Sequence, residues 1–199
     1  MEIEHKFAPV PPGGFEKLAQ DGALAPYLGQ RRSLQLRATY YDVPGGALRR
    51  AGFMLRLRQE GDKSLCCLKG PAGADGARLE LEAEASAIED GLAAVLAMPD
   101  CPPEAADLLR ALRPVPRCAA AFTRTSAPYD DGGLAFVLCH DVGQAEGGGQ
   151  VSPIDEIELE YQTGDLARFQ ALCAALAARH ELLESRITKA KRAFALLEE

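Results

Sequence analysis

Ile154-Asp155-Glu156-Ile157-Glu158-Leu159-Glu160-Tyr161-Gln162 alternates charged and apolar side chains along its length. Successive side chains of a strand point to opposite faces, so Glu156, Glu158 and Glu160 share one face and Ile157 and Leu159 the other. Three further stretches repeat the pattern. Glu2, Glu4 and Lys6 share a face. Arg56 and Arg58 stand opposite Leu55 and Leu57. Arg78, Glu80, Glu82 and Glu84 stand opposite Leu79 and Leu81. One such strand is an ordinary solvated sheet face. Several in one chain mean more, because the helices need the apolar faces for their own burial. With helices over those faces, the charged faces turn toward one another. The expected fold is therefore α+β: an eight-stranded antiparallel closed β-barrel with a polar lumen and helices packed outside.

The rest of the chain supplies the strands and helices for this plan. Leu34–Val43 is rich in β-branched and aromatic residues and ends at Pro44-Gly45-Gly46. Phe53–Gln59 and Ser64–Lys69 read as a hairpin around Glu60-Gly61-Asp62. Arg117–Pro128 and Leu134–Asp141 read as another, and Gln144–Gln150 as a glycine-rich hairpin loop. Ile88–Met98 and Glu104–Leu112 carry apolar residues at helical spacing. Asp165 and Thr188 are placed to cap the last two helices.

Length and composition narrow the class. At 199 residues and 47% hydrophobic, the chain reads as a single domain over 1–199 with a sizeable core. Its 29 acidic residues against 22 basic ones give a net charge of −7, which argues against nucleic acid as partner. No run approaches the length of a membrane span. Met1 is followed at once by Glu2, Glu4 and Lys6, unlike a signal peptide, so the expected location is cytoplasmic and the six cysteines are expected to be reduced thiols. A lumen lined by both carboxylates and guanidinium groups suits a polyanion held with hard cations. Carboxylates favour Mg²⁺ or Mn²⁺, and arginines favour phosphate oxygens.

The motifs carry a family resemblance over nearly the whole chain. Glu2-Ile3-Glu4-His5-Lys6 resembles the E-x-E-x-K signature of the CYTH domains, the triphosphate tunnel metalloenzymes. Tyr40-Tyr41-Asp42-Val43-Pro44 resembles the family's Y-Y-D-T-P. Leu48-Arg49 and Leu55-Arg56-Leu57-Arg58 resemble L-R followed by L-R-x-R, and Leu68-Lys69 and Arg78-Leu79-Glu80 resemble two strand motifs. Glu156–Glu160 with Gly164-Asp165 resembles E-[IL]-E-L-E…G-D, and Thr188–Phe194 resembles S-K-x-x-R-G-Y. The details are most similar to the bacterial inorganic triphosphatases, without the helical second domain that branch often carries. The chain departs from the pattern at Cys66-Cys67, Thr188 and Ala193-Phe194.

The resemblance implies roles. Glu2, Glu4, Asp141, Glu156 and Glu158 are expected to hold metal, with Glu160 nearer the rim and Glu82 a possible extra ligand. Lys6, Arg56, Arg58, Lys69, Arg124, Lys189 and Arg192 are expected to bind phosphate. Lys69, Tyr40 and Lys6 are the expected catalytic residues, Tyr40 and Lys69 as a dyad at the leaving phosphate. Arg49 and Arg50 are placed outside the tunnel. Two ions with substrate would bring the lumen to about +6, near the roughly −5 of a triphosphate. The implied activity is metal-dependent hydrolysis of a triphosphate, inorganic tripolyphosphate first, by a monomer or homodimer. Thiamine triphosphatase and a class IV type adenylate cyclase are alternatives within the fold, and a non-catalytic polyphosphate or nucleotide sensor is one of a different class.

Overall fold

The computed structural model of the protein describes residues 3–72 and 78–197. The strands are β1 (Glu4–Phe7), β2 (Arg32–Asp42), β3 (Met54–Glu60), β4 (Lys63–Ala72), β5 (Arg78–Glu84), β6 (Val115–Asp130), β7 (Leu134–Gly147) and β8 (Gln150–Gly164). The helices are α1 (Gly14–Ala19), α2 (Ala47–Arg50), α3 (Ile88–Leu96), α4 (Pro103–Ala111), α5 (Leu166–Arg179) and α6 (Lys189–Ala195). All eight strands join one antiparallel sheet in the order β1-β8-β7-β6-β2-β3-β4-β5, curled into a half-barrel.

The expected closure is stronger than what forms. Among the described residues no ladder joins β5 to β1, so the barrel stays open along one seam. Both edge strands are short, and both turn carboxylates inward: Glu4 on β1, and Glu80, Glu82 and Glu84 on β5. Like charges brought directly opposite disfavour pairing.

Apolar burial fixes which face is outside. Phe15 and Leu18 of α1 and Phe169, Cys173 and Leu176 of α5 pack on Phe7, Phe136, Leu138, Ile157 and Leu159. On the other half, Leu48, Ile88, Val95, Ala105 and Leu109 cover Leu55, Cys66, Leu68 and Leu81. The alternation read from the sequence therefore holds on β3, β5 and β8, with Leu55, Leu57, Leu79, Leu81, Ile157 and Leu159 outward and the charged residues between them inward. Helix α6 differs from the rest. Its Ala190, Ala193 and Phe194 pack on Leu36, Ala38, Tyr40, Phe122 and Ile154, which lie on the inner face, so α6 sits inside the curl of the sheet and lines the cavity.

Local chemistry sets the ends of elements. Asp165 accepts a hydrogen bond from the Arg168 amide at 3.1 Å, and Thr188 Oγ1 one from the Lys191 amide at 3.1 Å. Both caps fall where the sequence puts them. The stretch Gln144–Gly147, expected as loop, is strand. The turn is confined to Gly148 and Gly149, whose φ of +58° and +79° suit a two-residue hairpin. All six cysteines are unpaired. Among the described residues no helix is long and apolar enough to cross a membrane.

Candidate active site

The register of the sheet builds two inward walls. On one, the β1–β8 ladder sets Glu4 opposite Glu160 and Lys6 opposite Glu158. Next to it, Asp141 of β7 stands opposite Glu156, and Arg124 of β6 opposite Asp141. On the other wall, Tyr40 of β2 faces Arg56 of β3, which faces Cys67 of β4, which faces Glu82 of β5. Between them lies a cavity of about 500 Å³, lined by residues of both walls and of α6.

Ion pairs fill the acidic wall. Arg124 grips Asp141 with Nε and Nη2 at 2.8 and 2.7 Å, reaches Glu160 with Nη1 at 2.5 Å, and also contacts Glu158. Lys6 Nζ lies 3.0 Å from Glu158 and 3.5 Å from Glu4. From α6, Lys189 Nζ lies 2.6 Å from Asp141 and 3.0 Å from Glu158 and bonds Glu156. Two groups of carboxylate oxygens come within 4.8 Å of one another: Glu4, Glu158 and Glu160, and Asp141, Glu156 and Glu158. The first lies toward the cavity, where Glu4 is partly exposed. The second is fully buried.

Burial and charge compete over each group. Burial opposes ionisation of Glu158, yet Lys189, Lys6 and Arg124 hold its carboxyl well below the usual carboxylate range. At Glu156 burial outweighs Lys189 and Lys6, and the carboxyl is pushed up. Glu160 is likewise raised, burial exceeding the pull of Arg124. For Lys6 burial is overcome by Glu158 and Glu4, which raise it. Burial pushes the Tyr40 phenol up against nearby Arg56 and Lys189, so the hydroxyl keeps its proton at neutral pH.

The basic wall is looser. Arg56 Nη2 lies 3.4 Å from Glu80 and 3.5 Å from Glu82, Lys69 Nζ 3.1 Å from Glu80, and Arg58 Nη2 contacts Glu60. The Cys67 thiol donates to Glu80 at 3.2 Å, and Cys67, Glu80 and Glu82 form a third compact group.

Of the expected phosphate ligands, Lys6, Arg56, Arg58, Lys69, Arg124 and Lys189 line this one cavity. Arg192 does not line it; one turn along α6 its Nε is buried without a hydrogen-bond partner. Tyr40 and Lys69 both line the cavity, but the register places Arg56 beside Tyr40 and sets Lys69 opposite Met54 in the adjoining row. Among the expected metal ligands, Glu4 and Glu158 reach the cavity, Asp141 and Glu156 lie behind it, and Glu2 falls outside the described residues. Glu160, expected at the rim, joins Glu4 and Glu158. Arg49, expected outside the tunnel, lines the cavity with its guanidinium 5.2 Å from the Phe194 ring centroid. The Leu48-Arg49 motif was the available signal. Arg50, exposed like Arg49, does not line the cavity and donates to the Gly45 carbonyl.

The molecule is thus a curled antiparallel half-barrel with helices outside, both of whose inner walls carry carboxylates together with guanidinium or ammonium groups, and with a further helix packed on the inner face. Residues 1–194 match the CYTH domain family, and the chain belongs to it. Solved structures share the fold. The PH1819 protein of Pyrococcus horikoshii OT3 superposes with a TM-score of 0.62 at 19% identity, over 98% of this chain and 99% of that one. HpAC1 from Hippeastrum gives 0.59 at 18% identity over 98% and 96%. The PH1012 protein of P. horikoshii OT3 gives 0.56 at 18% over 99% of each. No curated protein matches the sequence significantly.

Proposed function

We propose that the protein is a divalent-metal-dependent triphosphatase whose substrate is inorganic tripolyphosphate, acting as one CYTH domain over residues 1–199. The observation that carries this reading is the facing of Glu4, Glu158 and Glu160 by Arg56, Arg58 and Lys69 across one cavity. An all-carboxylate donor set with oxygens within 4.8 Å fits Mg²⁺ or Mn²⁺. Glu4, Glu158 and Glu160 would hold such a cation, which would supply charge neutralisation at phosphate oxygens and a lowered pKa for bound water. Arg56, Arg58, Lys69, Lys6 and Arg124 hold the phosphates in line and stabilise charge that spreads during transfer. Arg124 and Lys6 also keep the Glu158 carboxylate ionised. The Tyr40 hydroxyl, protonated and beside Arg56, donates to the leaving phosphate oxygen, with Lys69 in the next row supplying positive charge. HpAC1, which has this fold, is described as having a dominant triphosphatase activity, in line with the reading.

The test is phosphate release from tripolyphosphate, ATP and thiamine triphosphate in Mg²⁺, Mn²⁺ or EDTA. Tripolyphosphate is expected to be cleaved fastest and EDTA to stop the reaction. EDTA-insensitive release would defeat the metal requirement, and conversion of ATP to cyclic AMP would make the protein a cyclase.

A further inference from the structure

The two carboxylate groups of the acidic wall differ in what already neutralises them. In the inner group, Asp141 receives two of the three Arg124 nitrogens and Lys189, Glu156 receives Lys189 with Lys6 at 3.9 Å, and Glu158 receives Lys189, Lys6 and Arg124. Three carboxylates thus meet three side-chain cations before any ion is added. Asp141 and Glu156 are wholly buried and do not reach the cavity surface. In the outer group, Arg124 bonds Glu160 and Lys6 lies 3.5 Å from Glu4, but both carboxylates face the cavity and, among the described residues, Lys189 pairs with neither, so no single side-chain cation meets all three carboxylates there as Lys189 does in the inner group. Lys189 is delivered rigidly. Thr188 caps its helix, and Ala190, Ala193 and Phe194 clamp that helix to the inner sheet face.

A divalent ion in the inner group would need the same oxygens that hold the Lys189 ammonium, at about 2.1 Å for Mg²⁺. It would sit in near contact with a like charge. One oxygen remains for it: Glu156 Oε2, buried in a fully buried residue, has no hydrogen-bond partner. The group is therefore built to coordinate but is occupied by a tethered cation.

We propose that Lys189 is the resident cation of the Asp141–Glu156–Glu158 group, so that without substrate the acidic wall takes a divalent ion at Glu4, Glu158 and Glu160 and not at the inner group. The proposal rests on the metal-dependent reading above. It makes a second ion conditional on a triphosphate drawing the Lys189 ammonium onto its own oxygens.

The experiment counts Mn²⁺ bound to the intact protein without triphosphate, by electron paramagnetic resonance of the free ion. One Mn²⁺ per chain is expected for the wild type and two for Lys189→Met, which keeps length and loses charge. Should Lys189→Met fail to fold, two further variants answer the same question. Glu156→Gln is expected to keep the single ion, and Glu4→Gln to weaken it roughly tenfold or more. Two ions in the wild type, an unchanged count in folded Lys189→Met, or equal loss in Glu156→Gln and Glu4→Gln would overturn the proposal. Those results leave EDTA-sensitive hydrolysis standing. Hydrolysis that ignores EDTA, with no Mn²⁺ bound at all, would overturn the metal-dependent reading and this proposal with it.

Discussion

Arg56 and Arg58 show how much one alternation carries. They stand two residues apart on β3, so both enter the cavity or neither does. Each is expected to contribute a charge-assisted contact worth roughly 1.5–3 kcal/mol to a bound phosphate. Arg56→Ala and Arg58→Ala should therefore weaken tripolyphosphate binding about tenfold or more each, measured by calorimetry with Ca²⁺ in place of Mg²⁺. Arg49→Ala should weaken it too, because that guanidinium lines the same cavity. Arg50→Ala should bind as the wild type does, since Arg50 is exposed and bonded to Gly45. Loss in Arg50→Ala with none in Arg56→Ala would reverse the faces of the strand. The facing of β3 was legible because charge and leucine alternate there without a break. Arg49 was not legible, because it sits on a four-residue helix whose orientation comes from Leu48 packing under β3 and β4. Arg192, expected from its motif to bind phosphate, lies one turn along α6 from Lys189 with its Nε buried and without a hydrogen-bond partner.

At the level of elements, what stayed hidden in the sequence is what contacts between distant segments decide. Gln144–Gly147 has the small, flexible composition of a loop. It is strand because β6 and β8 offer it ladders on both sides, from Ala119–Glu146 through Gly147–Gln150. Gly91 is a similar case within α3. Helix propensity alone favours Ala over Gly by about 1 kcal/mol. A Cβ there, however, would lie 2.2 Å from Cys66 Cβ and 3.0 Å from Ala85 Cβ. Neither is the free end of a flexible chain, so α3 would have to lift off β4. Gly91→Ala is thus expected to destabilise by about 1–3 kcal/mol in urea unfolding, as overpacking does. Gly22→Ala, where nothing lies within 4 Å, should be neutral or slightly stabilising. A more stable Gly91→Ala protein would show that the α3–β4 contact is not tight. The caps at Asp165 and Thr188 were legible, because a capping side chain acts within three residues of itself.

Over the whole molecule, the outer layer is held to the sheet by apolar contact, and a buried carboxylate ties two of its helices to each other. Asp21 lies buried after α1 and accepts from the Ala23 amide at 2.9 Å, from Arg179 at 2.7 Å and from His180 at 2.7 Å, tying α1 to the end of α5. Burial pushes its carboxyl up, but Ala23, His180 and Arg179 together pull it below the ordinary aspartate value. A carboxyl depressed in the folded state adds stability above its unfolded pKa of about 3.9 and loses it as pH falls through the lower folded value. Asp21→Asn should cost about 1–3 kcal/mol near neutral pH. The gap in melting temperature between the two proteins should shrink as pH drops below about 4. A gap that is constant from pH 6 to pH 2.5 would mean that shape, not charge, matters at this position.

The sheet order carries a consequence for how the protein is made. Among the described residues β1 pairs with β8 and bridges Glu184 beyond α5, and the Lys189 ammonium that meets the buried carboxylates comes from α6, later still in the chain. During synthesis, the segment that ends with Phe7 must wait until residues after Gln150 have emerged from the ribosome. A nascent chain released as far as β7 carries its arginines but has no place to assemble the acidic half of the cavity. Such long-range pairing is slow to form. The unfinished polypeptide therefore lacks the acidic wall of the cavity until its last segments dock.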